Sequence, residues 1–221
     1  MKRLSFVLGF LFLASTALAS TQAAKARSAD AVLAELKAGN ERHIKGQYKH
    51  PDETIARRQE LAKGQSPHAV VLTCADSRVP PEIVFDEGLG DLFVIRVAGN
   101  VAPDAEIASI EYAVEHLHTP LVVVMGHQSC GAVGAAIAGG EAPGHLSALM
   151  EPIKPAVEEA RKQKGDLSDN AVRINVERVV EQLRTSQPVL AHEVAEGKLR
   201  IVGAVYALDT GRVAWLPETT H

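Results

Sequence analysis

Residues 71–82 read VLTCADSRVPPE. An apolar run stops at Cys74, and Asp76 and Arg78 follow at alternate positions. A short, continuous, β-branched run of this kind suits a strand buried on both faces of a parallel sheet. The cysteine, the acid and the base then fall at the carboxyl end of that strand. The only other cysteine, Cys130, lies in a second stretch of the same form, VVVMGHQSCGAVGAA at 122–136. There His127 ends the apolar run, and Cys130 opens a segment of small residues that reads as a closely packed helix.

Outward from these two stretches the same pattern repeats. HAVVLTC (68–74), DLFVIRV (91–97), PLVVVMG (120–126) and LRIVGAVYAL (199–208) read as strands. RVAWL (212–216) follows an Asp209-Thr210-Gly211 turn and is expected as a hairpin-linked antiparallel edge. A helix is expected after Pro103, with acids in its first turn where the helix dipole favours them. The chain from 144 to 195 is expected to be mostly helical, with Ser168 capping NAVRINVERVVEQLRTS. Ahead of the first strand, Ser28 is expected to cap a helix over DAVLAELKAGNERHIKG, and a second helix is expected over about 53–63, ended by Gly64. These two make an N-terminal helical arm, expected to pack on a partner subunit. Alternation of strand and helix defines the class: α/β, with a mainly parallel sheet of about four parallel strands plus an antiparallel edge strand, flanked by helices. Residues 20–221 read as a single domain, with no internal repeat.

The first 19 residues are a separate object. Lys2 and Arg3 precede an apolar core from Leu4 to Leu13, and Ala17-Leu18-Ala19 forms an A-x-A cleavage site. The core is shorter than the roughly 20 residues needed to span a bilayer. A cleaved signal peptide and export to a bacterial periplasm are expected, with no membrane association after cleavage. A net charge of −4 without a basic block, together with 4% aromatic residues, argues against a nucleic-acid partner. Two cysteines in an oxidising compartment would by default form a disulfide.

Position changes that default. In open α/β sheets, ligands bind outside the carboxyl ends of the strands. Cys74, His127 and Cys130 are therefore expected to meet at one edge of the sheet. Two thiolates and an imidazole suit zinc, and three protein ligands leave a fourth position open, as in catalytic sites. Cys130 at a helix N-terminus is expected to lean toward thiolate. With both sulfurs on a metal, no disulfide forms. Arg78 can hold Asp76 in a bidentate pair and keep it off the metal, leaving Asp76 to accept a hydrogen bond from the attacking oxygen. Gly126 and Gly131 are expected to permit close backbone approach, and Ala98-Gly99-Asn100 to turn near the site.

CADSRVPPEIVFDEGLGDLFVIRVAGN (74–100), followed by GHQSCGAV (126–133), resembles the beta-class carbonic anhydrases. Both the C-x-D-x-R and the H-x-x-C motifs of that family are intact, and the resemblance runs from about Ala34 to the C-terminal VYALDTGRVAWL. It implies zinc-dependent, reversible hydration of carbon dioxide to bicarbonate and a proton, with one Zn2+ per subunit on Cys74, His127 and Cys130. It also implies a homodimer or tetramer. Two other readings share these residues. One is a hydrolase of carbonyl sulfide or carbon disulfide on the same scaffold. The other is a non-catalytic zinc-binding or redox module in which Cys74 and Cys130 pair, which would leave Asp76 and Arg78 without purpose.

In some members of the family Asp at the Asp76 position binds zinc itself, closing the site, and an inhibitory bicarbonate pocket uses Trp, Arg and Tyr. Arg96 and Tyr112 match two of these by local motif, but the Trp position is Val71 here. That departure implies an open site, with Asp76 a metal ligand only in a closed state. The Gln that plant-type relatives carry near Glu87 and Gly88 is missing. His116 and His118 end a helix, where cations are favoured. His43, His50, His68, His145, His192 and His221 lack a ligand partner in sequence and read as surface or packed residues.

Overall fold

The computed structural model describes residues 27–140 and 142–218; the expected signal segment lies outside them. Each expected strand forms. β1 (Ala69–Thr73), β2 (Leu92–Arg96), β3 (Leu121–His127), β4 (Arg200–Tyr206) and β5 (Val213–Trp215) make one sheet in the order β2-β1-β3-β4-β5. The first four strands pair in parallel and β5 pairs antiparallel to β4. Among the described residues, eight α-helices accompany them: α1 (Ala29–Lys45), α2 (Ile55–Leu61), α3 (Pro81–Val84), α4 (Asp104–Leu117), α5 (Gly131–Ala138), α6 (Ser147–Ala160), α7 (Leu167–Arg184) and α8 (Val189–Ala195).

Side chains alternate across a strand, so a sheet covered on both faces needs two cores. Val71, Leu121, Val123, Met125 and Val202 join one core, with residues of α1, α5 and α6. Val70, Leu72, Val122, Val124 and Ile201 join the other, with residues of α4 and α8. α7 is long enough to feed both, Val172 and Ile174 into the first and Val179 and Leu183 into the second. β1 and β3 are buried throughout, as their continuous apolar runs require. β2 differs: its run is equally apolar, yet it lies at the sheet edge and stays half-exposed.

The helical arm divides in two. Ser28 caps α1 as expected, its hydroxyl accepting from Ala31 N at 3.2 Å. Val32, Leu33 and Leu36 are buried in this chain's own core, so α1 needs no partner to cover its apolar face. α2 is shorter than expected and buries no residue, leaving Ile55 67% exposed. α7 is capped by Asp166 in place of Ser168. The Asp166 carboxylate accepts from Asp169 N at 2.9 Å, so the helix starts ahead of the expected cap.

One buried side chain ties the arm to the sheet. Asn40 donates from Nδ2 to Val84 O (3.2 Å) and Gly211 O (2.8 Å), and its Oδ1 accepts from Val213 N at 2.9 Å. Asn40→Ala would leave those backbone groups buried without partners, each costing on the order of 1 kcal/mol or more. The variant is expected to lose about 3 kcal/mol of stability in urea unfolding. A loss below about 1 kcal/mol would show that α1 docks through its apolar face alone.

Candidate metal centre

The strand order places β1 and β3 side by side, although the chain visits β2 between them. β1 connects outward to β2 on one side, and β3 connects to β4 on the other. Such a reversal opens a crevice at the carboxyl ends of the two central strands. Thr73 pairs with Met125 across it. Cys74 follows β1, His127 is the last residue of β3, and Cys130 is the N-cap of α5. The three expected ligands therefore converge, all buried, with ligand atoms within 4.8 Å of one another.

The spacing fits a metal. Cys74 Sγ and Cys130 Sγ lie 4.0 Å apart and both cysteines are free. Two thiolates at about 2.3 Å on one tetrahedral zinc would be about 3.8 Å apart. His127 Nδ1 lies 2.8 Å from Gln128 O, and a ring N–H donated there leaves a lone pair on Nε2. That Nε2 is buried and has no hydrogen-bond partner, as a metal-ligating nitrogen should.

Charge is unevenly shared between the sulfurs. The hydrogen bond shared with Cys130 pulls the Cys74 thiol down, and the backbone N–H of Gly99, 3.3 Å from Cys74 Sγ, helps. The same bond, together with burial, pushes Cys130 up. Backbone N–H groups of Ala132 and Val133, at the start of α5, pull Cys130 the other way, toward thiolate. A bound divalent metal would deprotonate both.

Asp76 and Arg78 meet as expected. Arg78 donates from Nε to Oδ1 at 2.9 Å and from Nη2 to Oδ2 at 2.7 Å, and Arg78 N also donates to Oδ1 at 2.9 Å. This side-chain pairing holds the Asp76 carboxyl well below the usual carboxylate range. Asp76 Oδ2 remains 3.8 Å from His127 Nε2, beside the three ligands.

One support carried little weight in the sequence. Arg96, at the end of β2, donates from Nε to Cys74 O at 3.1 Å and from Nη2 to Asp76 O. It thus pins the backbone of the loop that carries both residues. Tyr112 is 47% exposed and stacks with Phe93 and His116. The turn at Ala98–Asn100 does lie at the site, through Gly99 N, and Asn175 Nδ2 holds Gly99 O at 2.9 Å. Close approach is real at Gly126, where an added Cβ would come within 2.7 Å of Val176 Cγ2. At Gly131 it is not, because an added Cβ would meet open space.

An α/β fold with a Cys-His-Cys cluster and an Asp–Arg pair at its switch point defines a metalloenzyme scaffold. The family model for carbonic anhydrase matches residues 69–213. The chain is 45% identical over 181 residues to carbonic anhydrase 2 of Mycobacterium tuberculosis, covering 80% of this chain and 87% of that one. It is 44% identical over 182 residues to the carbonic anhydrase of Mycolicibacterium smegmatis, covering 80% and 88%. Among solved structures, a tetrameric beta-carbonic anhydrase of Sordaria macrospora superposes with a TM-score of 0.66 at 29% identity, covering 83% of this chain and 93% of that one. A Coccomyxa beta-carbonic anhydrase in complex with acetazolamide superposes with a TM-score of 0.65 at 30% identity, covering 72% and 75%. The chain belongs to the beta-class carbonic anhydrase family, whose activity is the metal-dependent hydration of carbon dioxide.

If the three residues hold the metal and Asp76 does not, content should divide the variants. Purified wild type is expected to carry at least one equivalent of metal per chain by mass spectrometry, of which one is lost with the thiolate site. Cys74→Ser and His127→Ala should each lose that equivalent, while Asp76→Asn retains it. Loss of metal from Asp76→Asn would make Asp76 a ligand.

Proposed function

We propose that this chain is a zinc enzyme that interconverts carbon dioxide and bicarbonate, with Cys74, His127 and Cys130 holding the ion and Asp76 and Arg78 acting on the substrate side. The observation that carries this reading is the paired geometry: three convergent ligand atoms, and next to them a carboxylate already committed to a guanidinium. Zinc, when bound, lowers the pKa of water from about 15.7 toward 7 and so supplies a nucleophile at neutral pH. The remaining work belongs to the protein. Asp76, with 18% of its side chain exposed, accepts a hydrogen bond from the attacking oxygen and aims its lone pair at the substrate carbon. Arg78 occupies both Asp76 oxygens, which keeps the carboxylate ionised and denies it to the metal. Arg96 fixes the loop backbone so that these positions hold during turnover. Val71 is buried in β1, so no Trp stands there to build an inhibitory bicarbonate pocket, which supports an open site.

Export and assembly belong to the same proposal. Residues 1–19 have the charge, apolar core and cleavage pattern of a signal peptide, which supports a periplasmic enzyme. The half-exposed apolar edge β2 and the bare α2 support a homodimer or tetramer, since a flat apolar edge strand is ordinarily covered.

Stopped-flow hydration of carbon dioxide tests the activity. Asp76→Asn and Arg78→Ala are each expected to lower kcat/KM by roughly 10²-fold, within the range for losing a positioned proton acceptor. Zinc-loaded wild type that hydrates no carbon dioxide would reject the reading. Hydrolysis of carbonyl sulfide or carbon disulfide in its place would reassign the substrate.

A further inference from the structure

Among the described residues, two buried histidine nitrogens lack a hydrogen-bond partner. One is His127 Nε2, the metal-ligand nitrogen. The other is His68 Nε2, which lies among Glu87 and Asp91, and the ligand atoms of these three are within 4.8 Å of one another. His68 Nε2 is 3.4 Å from Glu87 Oε2 but too poorly aligned for a hydrogen bond. The His68 and Glu87 side chains are 10% and 5% exposed, and that of Asp91 is 9% exposed.

The backbone builds this cluster at the opposite end of the sheet from the Cys-His-Cys centre. His68 enters β1 and Asp91 enters β2, and the parallel register seats them side by side, with His68 N donating to Asp91 O at 2.9 Å. At about 3.3 Å per residue, β1 separates His68 from Cys74 by roughly 20 Å. Asp91 Oδ2 accepts from Gly88 N at 2.8 Å, which folds the 87–91 turn back and brings the Glu87 carboxylate to the imidazole. Gly88 is required there, because a Cβ would fall 2.0 Å from Pro51 O.

We propose that His68, Glu87 and Asp91 form a second metal site, taking one divalent first-row cation per chain through one imidazole nitrogen and two carboxylates. Mixed nitrogen and carboxylate donors suit zinc, cobalt and manganese. Two buried carboxylates beside an imidazole repel each other, and burial pushes the Asp91 carboxyl up; a divalent cation neutralises both. The Arg57 guanidinium, 3.6 Å from Asp91 Oδ1, balances part of that charge, but it is shared with Glu60 and Asp52 and pairs with neither His68 nor Glu87. The cluster opens into a cavity of about 400 Å³ whose lining mixes acids (Glu35, Asp52, Asp86) with cations (Arg27, Arg42, Lys49). This site takes no part in the hydration chemistry, and its cation would join the starts of β1 and β2 to the 87–91 turn.

The test uses the full chain stripped of metal, reloaded with a single equivalent of zinc per chain, which the thiolates hold, and then titrated with Co2+. One further equivalent of cobalt per chain is expected, without a sulfur-to-cobalt charge-transfer band, because no thiolate is present at the second site. His68→Ala and Glu87→Gln should each lose that equivalent while keeping the first zinc and the hydration activity. Wild type that takes up no added cobalt, or uptake that persists in both variants, overturns the proposal and leaves His68 in a plain ion pair with Glu87. If a variant fails to fold, NMR of the unmodified chain still decides. Cobalt must broaden the His68 ring signals at one equivalent, and ring signals left sharp overturn the site.

Discussion

The parallel pairing of β1 with β3 is the constraint on which the rest of the molecule depends. It fixes Thr73 opposite Met125, where β1 ends, while β3 runs two residues further, to His127. Cys74 and His127 must then emerge side by side, whatever the loops do. A slip of one residue would turn every β1 side chain to the opposite face and send Val71 out of its core. The two apolar cores therefore hold the register, and the register holds the candidate metal ligands. Site precision comes from packing that lies several residues behind it.

A second layer acts on the loop itself. An ionised carboxylate two residues from a thiolate ligand would itself bind a metal unless something else claims it. Arg78 claims both Asp76 oxygens, and Arg96, arriving from the neighbouring strand, claims the carbonyls of Cys74 and Asp76. Backbone and side chain are thus tied down by different arginines on different elements. Arg78 is 53% exposed at its side chain, so its pair with Asp76 is the more easily opened of the two restraints.

The sheet was legible because each strand is a short unbroken apolar run, and the candidate ligands were legible because the chain has only two cysteines, one ending such a run and the other opening the helix after one. What the sequence hid was partnership. The apolar stripe of α1 does not say whether it covers its own sheet or a neighbour's, and it covers its own. The loop-bracing role of Arg96 left no signal, since its targets are backbone carbonyls. His68 looked solitary because its carboxylate neighbours lie across the sheet and beyond a turn, joined only by strand register. For α7, Asp166 and Ser168 are both good caps, and only the built helix shows that the first is used.

The central claim is that Arg78 keeps Asp76 off the metal. A crystal structure of the zinc-loaded protein at pH 8 tests it most directly. The account predicts Cys74, His127 and Cys130 on zinc, the fourth position left to solvent, and Asp76 still bidentate with Arg78. Asp76 bound to zinc with Arg78 turned away would contradict it.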